Sequence, residues 1–151
     1  MLFRSEAVDY LNGAEVGENV VIIGGGLTGC EIAYDLYLKG KKPVIVEMKN
    51  DLIAVRGVCL ANSSYLRDFF NWKKVPVMLE SRVTEIRDGS VTVTDKNGNT
   101  TELPADSVVV SVGYTPAPIA KGGRVRVVGD ANTVGNLRTV VWNAWKTAES
   151  I

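Results

Sequence analysis

The sequence contains no histidine. This absence excludes a Ser-His-Asp triad, a Cys-His dyad and any metal site built on histidine within this chain. The two cysteines, Cys30 and Cys59, are far apart and form no CxxC motif, so we expect neither a zinc site nor a local redox disulfide. Any redox chemistry of this chain therefore depends on a bound cofactor.

Net charge and long apolar runs are absent as well. The 17 basic and 17 acidic side chains balance, so the overall charge gives no reason to expect a nucleic acid or an anionic membrane as partner. No apolar run approaches the roughly 20 residues that span a bilayer, and the N-terminal segment lacks the apolar core of a signal peptide. We expect a cytoplasmic protein, whose 151 residues, 46% of them hydrophobic, fit an ordinary packed domain.

Continuous apolar, β-branched runs such as VVII predict strands that are buried on both faces, as in a parallel sheet. Four such strands are predicted, at residues 20–23, 44–47, 76–79 and 107–112. A helix with apolar residues at helical spacing connects the first two strands over residues 30–39 and ends at Gly40. This pattern predicts a Rossmann-like α/β fold with the strands ordered 3-2-1-4.

Between residues 82 and 103 the pattern changes to an alternation of apolar and polar side chains, which is typical of antiparallel strands. The dipeptides DG at 88–89 and NG at 97–98 are strong hairpin signals. We therefore expect a three-stranded antiparallel meander that crosses over from the third to the fourth strand of the parallel sheet. The complete unit is a three-layer ββα nucleotide-binding fold.

The remaining segments are predicted from local signals. Ala7 to Leu11 form a short helix, residues 49–57 form a loop, and Asn62 or Ser63 caps a helix that runs to about Trp72.

The C-terminal quarter is predicted as a separate segment. Two prolines and two glycines in residues 114–123 indicate a linker. A strand at 125–128, a turn at 129–130 and a C-terminal helix follow. The helix has an apolar stripe formed by Leu137, Val140, Val141, Ala144, Trp145 and Ala148.

The strongest functional pattern is Gly24-x-Gly26-x-x-Gly29, which follows a buried strand and opens a helix. The first glycine permits a tight turn, the second lets a pyrophosphate approach the backbone, and the third lets helix and strand pack closely. The helix N-terminus then offers free N–H groups to the phosphates. The candidate dinucleotide loop comprises Gly24, Gly25, Gly26, Leu27, Thr28 and Gly29. The alternative is a glycine-rich turn that binds no ligand.

Glu47 lies at the end of the second predicted strand, where a carboxylate can accept hydrogen bonds from the adenosine ribose hydroxyls. A 2′-phosphate would be repelled there, so the sequence favours NAD(H) over NADP(H). Lys49, two residues further on, is a cation that could tolerate that phosphate. The alternative for Glu47 is an acidic residue that only faces solvent.

The other candidate residues also have structural explanations. Glu31, in the first helical turn, either stabilises the helix dipole or lies near a nicotinamide. We expect Cys30 to fill a small space against the sheet and Cys59 to be a loop thiol. Asp130, after an apolar run, either binds a hydroxylated ligand or caps a turn.

Together these residues support a resemblance to a known family. The segment VVIIGGGLTGCEIAYDLYLKGKKPVIVE resembles the NAD(P)-binding domain of flavoproteins of the pyridine nucleotide–disulfide oxidoreductase superfamily. The segment RVRVVGDA is similar to the family's GD motif. The last helix resembles, more narrowly, the C-terminal end of old yellow enzyme-type NADH:flavin oxidoreductases, which include 2,4-dienoyl-CoA reductases, enoate reductases and NADH oxidases.

The resemblance implies a domain organisation and cofactor contacts. Residues 17–113 would be the NAD(P)-binding domain, 114–123 a linker, and 124–151 the end of an FAD-binding domain. The glycine motif and Glu47 match the NAD site, Glu31 matches a glutamate near the nicotinamide–flavin interface, and Asp130 matches an FAD ribitol contact. The stretch SVGYTP implies that Gly113 passes close to the dinucleotide.

The chain also departs from that family. It has no first GxGxxG motif for FAD, no cysteine cluster for iron–sulfur, and too few residues for a (β/α)₈ barrel of about 250. We therefore expect an NAD(H)-binding module of a flavin-dependent oxidoreductase, inactive alone, with the other flavin-binding domains as partners. A non-catalytic NAD-binding or redox-sensing module and a scaffold that binds nothing are the alternatives.

Overall fold

The computed structural model describes residues 2–54, 59–120 and 122–151. The chain divides into two compact units, Met1–Val112 and Gly113–Ile151. The elements of the first unit are β1 (Phe3–Glu6), α1 (Ala7–Leu11), β2 (Asn19–Ile23), α2 (Leu27–Leu38), β3 (Lys42–Val46), α3 (Leu60–Lys73), β4 (Val77–Met78), β5 (Ser81–Arg87), β6 (Ser90–Asp95), β7 (Thr100–Pro104) and β8 (Ser107–Val110).

A five-stranded parallel sheet forms the centre of the first unit, with the order β1-β8-β2-β3-β4. The predicted order of the four apolar strands is therefore confirmed. The prediction missed β1, which pairs with β8 at one edge of the sheet. Its sequence, FRSE, has no apolar run, and Arg4 and Glu6 are exposed. An edge strand of this kind is defined by its backbone pairing and not by a buried side-chain pattern.

Alternate side chains of the central strands face opposite layers. Val20 and Ile22 of β2 pack in one core with residues of α1, α2 and α3. Val21 lies between them in sequence and packs in a second core with the antiparallel sheet. All three residues are at most 1% exposed, because both faces of the sheet are covered. This alternation produces the predicted three layers of helices, parallel sheet and antiparallel sheet.

The meander is the β5-β6-β7 sheet, and both of its hairpins are antiparallel as predicted. Gly89 and Gly98 have φ angles of +82° and +85°, which the two tight turns require and which glycine adopts without strain. Val91 and Val93 of β6 are completely buried against the parallel sheet, whereas Thr92 between them is only half-buried. The period-two pattern therefore places one face of the meander in the core.

Helices α1 and α2 confirm two predicted helices, although α2 differs from its prediction at both ends. Helix α1 spans Ala7–Leu11, and α2 ends one residue before Lys39, with Gly40 at a φ of +77°. Helix α2 begins at Leu27, three positions earlier than predicted. Gly29, expected in the turn, is instead part of the helix, because the turn is already complete at Gly26.

Helix α3 also begins earlier than predicted. It starts at Leu60, so Asn62 and Ser63 lie inside its first turn and do not cap it. The Ser63 hydroxyl donates to the Leu60 carbonyl at 3.1 Å, a local bond that a serine inside a helix can make. Of the predicted loop 49–57, residues 49–54 contain no helix or strand, and residues 55–57 lie outside the described residues.

The second unit contains a short 3₁₀ helix at Gly129–Ala131 and helix α4 at Leu137–Glu149. The predicted strand at 125–128 is wrong, because no strand of this unit is present to pair with it in its described residues. The C-terminal helix is confirmed and is capped by Asn136, whose side chain accepts from the Thr139 N–H at 3.0 Å. No residue of α4 is buried, and the apolar stripe includes Trp145, which is 59% exposed.

The described helices include none with the length and apolar character that a transmembrane span requires.

Two leucines of α2 provide a matched test of the helix–sheet core. Leu36 is completely buried, whereas Leu38 is 61% exposed. We expect Leu36→Ala to lower the free energy of unfolding by about 2–5 kcal/mol, because it removes buried contacts and leaves a cavity. Leu38→Ala should change it by less than about 0.5 kcal/mol. Urea denaturation measures both values, and equal losses in the two variants would contradict this assignment of the core.

Candidate functional site

The glycine loop lies at the carboxyl edge of the parallel sheet, where β2 neighbours β3 on one side and β8 on the other. Gly24 directly follows β2, has a φ of +110°, and donates its N–H to the Val46 carbonyl at 2.9 Å. A Cβ at this position would collide with the backbone carbonyl of Ser111, which follows β8. Only glycine lets the chain turn this close to β8, at the switch point where α/β sheets bind ligands.

The other two motif glycines have different environments. A Cβ at Gly29 would collide with the carbonyl oxygen of Gly24, so this glycine lets α2 pack directly on the turn. Gly26 is the N-cap of α2, and nothing lies within 4 Å of the Cβ position there. Gly26 therefore borders open space, whereas Gly24 and Gly29 are required by contacts within the protein.

The N-terminus of α2 carries the partial positive charge of the helix dipole. No side chain caps this end by a hydrogen bond, and its first turn contains no acidic residue. Leu27 and Thr28 form the start of the helix and are half-buried. The prediction that Glu31 lies in the first turn is wrong, because α2 begins at Leu27 and Glu31 is an exposed residue of the second turn. The first backbone N–H groups of a helix have no partner within the helix, so this end can accept an anion.

Glu47 contacts the glycine loop directly. Its Oε2 accepts from the Gly25 N–H at 2.6 Å, and its Oε1 accepts from the Lys49 N–H at 2.8 Å. The carboxylate is half-buried, so it does not merely face solvent, which was the alternative considered from the sequence. Each carboxylate oxygen can accept a further hydrogen bond, which leaves capacity for a ligand hydroxyl.

The Gly25 carbonyl is also held by hydrogen bonds, one from the segment after Glu47 and one from α2. The Ile53 N–H donates to the Gly25 carbonyl at 2.7 Å, and the Cys30 Sγ donates to the same oxygen at 3.5 Å. Burial raises the pKa of the Cys30 thiol to about 12, so it stays protonated and acts as a donor. The sequence did not indicate Ile53, since no motif predicts a bond from a loop isoleucine to this glycine.

The remaining predicted site residues belong to the second unit. Gly113 has a φ of +103°, which favours glycine, and Asp130 lies in the 3₁₀ helix with an exposed side chain. The Asp130 Oδ1 accepts from the Gly135 N–H at 3.0 Å, which is the turn-capping role considered from the sequence. Gly129 beside it has a φ of +64° and lies close to Val140 of α4.

Comparison with known proteins identifies the family. A family model described as pyridine nucleotide-disulphide oxidoreductase matches residues 2–147. The chain belongs to this family. The resemblance seen in the sequence, carried by the glycine motif and its flanking strands, is therefore confirmed.

Two curated relatives show how much of a longer protein the chain covers. A cinnamate reductase from Clostridium sporogenes is 38% identical over 143 residues, which is 90% of this chain but 21% of the relative. An NADH oxidase from Thermoanaerobacter brockii is 34% identical over 159 aligned residues, 99% of this chain and 24% of the relative. The chain thus spans less than a quarter of the length of these two relatives.

A solved structure supports the same fold. The structure of a 2-naphthoyl-CoA reductase in complex with 2-naphthoyl-CoA matches 95% of this chain and 23% of that chain, with a TM-score of 0.83. The sequence identity is 24%, so this likeness shows the fold alone. Both the Rossmann-like parallel sheet and the separate antiparallel meander belong to that fold.

Proposed function

We propose that residues 17–113 are a nucleotide-binding domain that holds NADH for hydride transfer to a flavin. The observation that carries this proposal is the open space at Gly26, at an uncapped helix N-terminus beside the carboxylate of Glu47. This arrangement suits a dinucleotide, because the helix end accepts the pyrophosphate and the carboxylate accepts ribose hydroxyls. Family membership supports a nicotinamide nucleotide as the ligand.

The glycine loop and Glu47 bind different parts of the nucleotide in this proposal. The backbone N–H groups from Gly26 to Gly29 bind the pyrophosphate, and Leu27 and Thr28 contribute through their main chain. Glu47 binds the adenosine ribose, and its charge disfavours the 2′-phosphate of NADPH. When bound, the nicotinamide supplies the hydride, while the protein supplies position and a fixed electrostatic environment. A histidine is not required for this role.

We extend the proposal to the second unit with the assignments made from the sequence. Residues 114–123 are a linker, and residues 124–151 are the end of an FAD-binding domain, with Asp130 facing the flavin cofactor and Gly113 near the dinucleotide. The exposed apolar stripe of α4 supports this assignment, since a helix of this kind is stable when its apolar face is covered. The remaining flavin contacts come from other domains of a longer enzyme.

The space at Gly26 allows a direct test of nucleotide binding. The φ of Gly26 is −68° and its Cβ position is empty, so Gly26→Ala should fold with an unchanged melting temperature. The added methyl group would occupy the position of the pyrophosphate. We expect the Kd for NADH, measured by fluorescence titration, to rise at least about tenfold, which corresponds to about 1.4 kcal/mol. Equal NADH affinity in this variant and the parent would contradict the proposed site.

The role of Glu47 is tested by the ratio of the NADPH and NADH dissociation constants. Glu47→Ala removes both the ribose acceptor and the charge that repels a 2′-phosphate, so we expect this ratio to fall about tenfold, largely through weaker NADH binding. Glu15→Ala is the matched control, because Glu15 is exposed and lies before β2. An unchanged ratio in Glu47→Ala would exclude Glu47 from nucleotide selection.

The flavin content of the purified chain tests the assignment of residues 124–151. Because most flavin contacts are assigned to other domains, we expect the purified chain to contain no flavin in its visible spectrum. Added FAD should be lost during gel filtration, whereas protein and NADH binding remain measurable in the same preparation. Stoichiometric flavin that copurifies with the chain would contradict the assignment of residues 124–151 as an incomplete flavin site.

A further inference from the structure

Arg67 of α3 is bonded to the loop that follows β3. Its Nε donates to Asp51 Oδ1 and its Nη2 to Asp51 Oδ2, both at 3.0 Å. Nη2 also donates to the Leu52 carbonyl at 2.5 Å. The planar guanidinium thus binds both oxygens of Asp51, a bidentate geometry that a lysine cannot reproduce, and at the same time reaches a backbone carbonyl.

The residues next to this contact support the glycine loop. Leu52 is 5% exposed, and its Cδ2 lies 2.6 Å from the position that a Cβ of Gly25 would occupy. Ile53 is 3% exposed and has a φ of +52°, an uncommon conformation for a β-branched residue that persists only where surrounding contacts impose it. In this conformation its N–H donates to the Gly25 carbonyl at 2.7 Å.

This carbonyl belongs to the same planar peptide as the Gly26 N–H. In a trans peptide the C=O and N–H groups point in opposite directions, so a bond that fixes the carbonyl also fixes the direction of the N–H. The preceding peptide is fixed separately, through the bond from the Gly25 N–H to Glu47. Both peptides that flank Gly25 are therefore held by protein contacts, one from Glu47 and one from Ile53.

We propose that Arg67 is a positioning residue for nucleotide binding: it holds residues 51–53 so that Ile53 orients the Gly25–Gly26 peptide toward the pyrophosphate. This inference rests on the proposed function, since it assigns the Gly26 N–H to the bound nucleotide. Arg67 acts from α3, a helix that contributes no residue of the glycine motif. Its effect is transmitted through two hydrogen bonds, from Arg67 to Leu52 and from Ile53 to Gly25.

An ordinary surface ion pair would behave differently. The Arg67 and Asp51 side chains are 31% and 53% exposed, and exposed pairs contribute little to global stability. Loss of such a pair would leave both the melting temperature and the NADH affinity unchanged. A positioning residue changes the nucleotide affinity and the local protection of one amide, whereas the melting temperature stays nearly constant.

The test compares Arg67→Met, Arg67→Lys and Asp51→Asn with Arg87→Met in the full chain. Arg87 is the matched control, because it also pairs with a carboxylate, Glu85, at 2.7 Å but lies on the meander. We measure the Kd for NADH and, without nucleotide, the hydrogen exchange of the Ile53 amide. Arg67→Met should raise the Kd about tenfold and exchange the Ile53 amide at least about tenfold faster, with smaller effects in the other two variants. Arg87→Met should match the parent.

The outcomes separate the two proposals. If the parent chain binds no NADH, the proposed function fails and the positioning role fails with it. If the parent binds NADH and the Arg67 variants keep its affinity and its Ile53 exchange rate, only the positioning role is overturned. Should Arg67→Met fail to fold, Arg67→Lys and Asp51→Asn decide: parental values in both overturn the inference, and changes in both readouts support it.

Discussion

Gly24 and Gly29 bring three pieces of backbone together at the carboxyl edge of the parallel sheet. Gly24 turns against Ser111, at the end of β8, and Gly29 lets α2 pack on the Gly24 carbonyl. A side chain at either position would separate the helix from the sheet. Three features depend on this contact: the position of the α2 N-terminus, the open space at Gly26, and the hydrogen bond between Glu47 and the Gly25 N–H.

The surrounding layers hold the contact in place because the sheet is buried on both faces. Helices α1, α2 and α3 cover one face and the meander covers the other, so each central strand contributes side chains to two cores. Packing of this kind fixes the positions of strand ends relative to one another. The glycine loop is therefore attached to a rigid edge of the sheet. The two residues that bond to Gly25 are also held there, since Glu47 directly follows β3 and Ile53 lies in the loop after it.

Several parts of this arrangement follow from local patterns that act over short distances. The apolar runs of β2, β3 and β8 indicated burial on both faces, and the DG and NG turns indicated the meander. By contrast, β1 depends on pairing with β8, more than 100 residues away, and its own side chains give no pattern. The apolar run at 125–128 failed as a strand because an apolar pattern without a partner strand does not form a ladder.

For the site, the sequence by itself determined the glycine motif, the acidic residue at the strand end and the family. These depend on residue type and on spacing within one βαβ unit, which are properties of the chain alone. Only the tertiary structure decided that Glu47 bonds to Gly25, that Ile53 adopts a positive φ to reach the same residue, and that Arg67 anchors its loop. Those contacts join the glycine loop, the segment after β3 and helix α3, and their geometry exists only when the sheet and helices have packed.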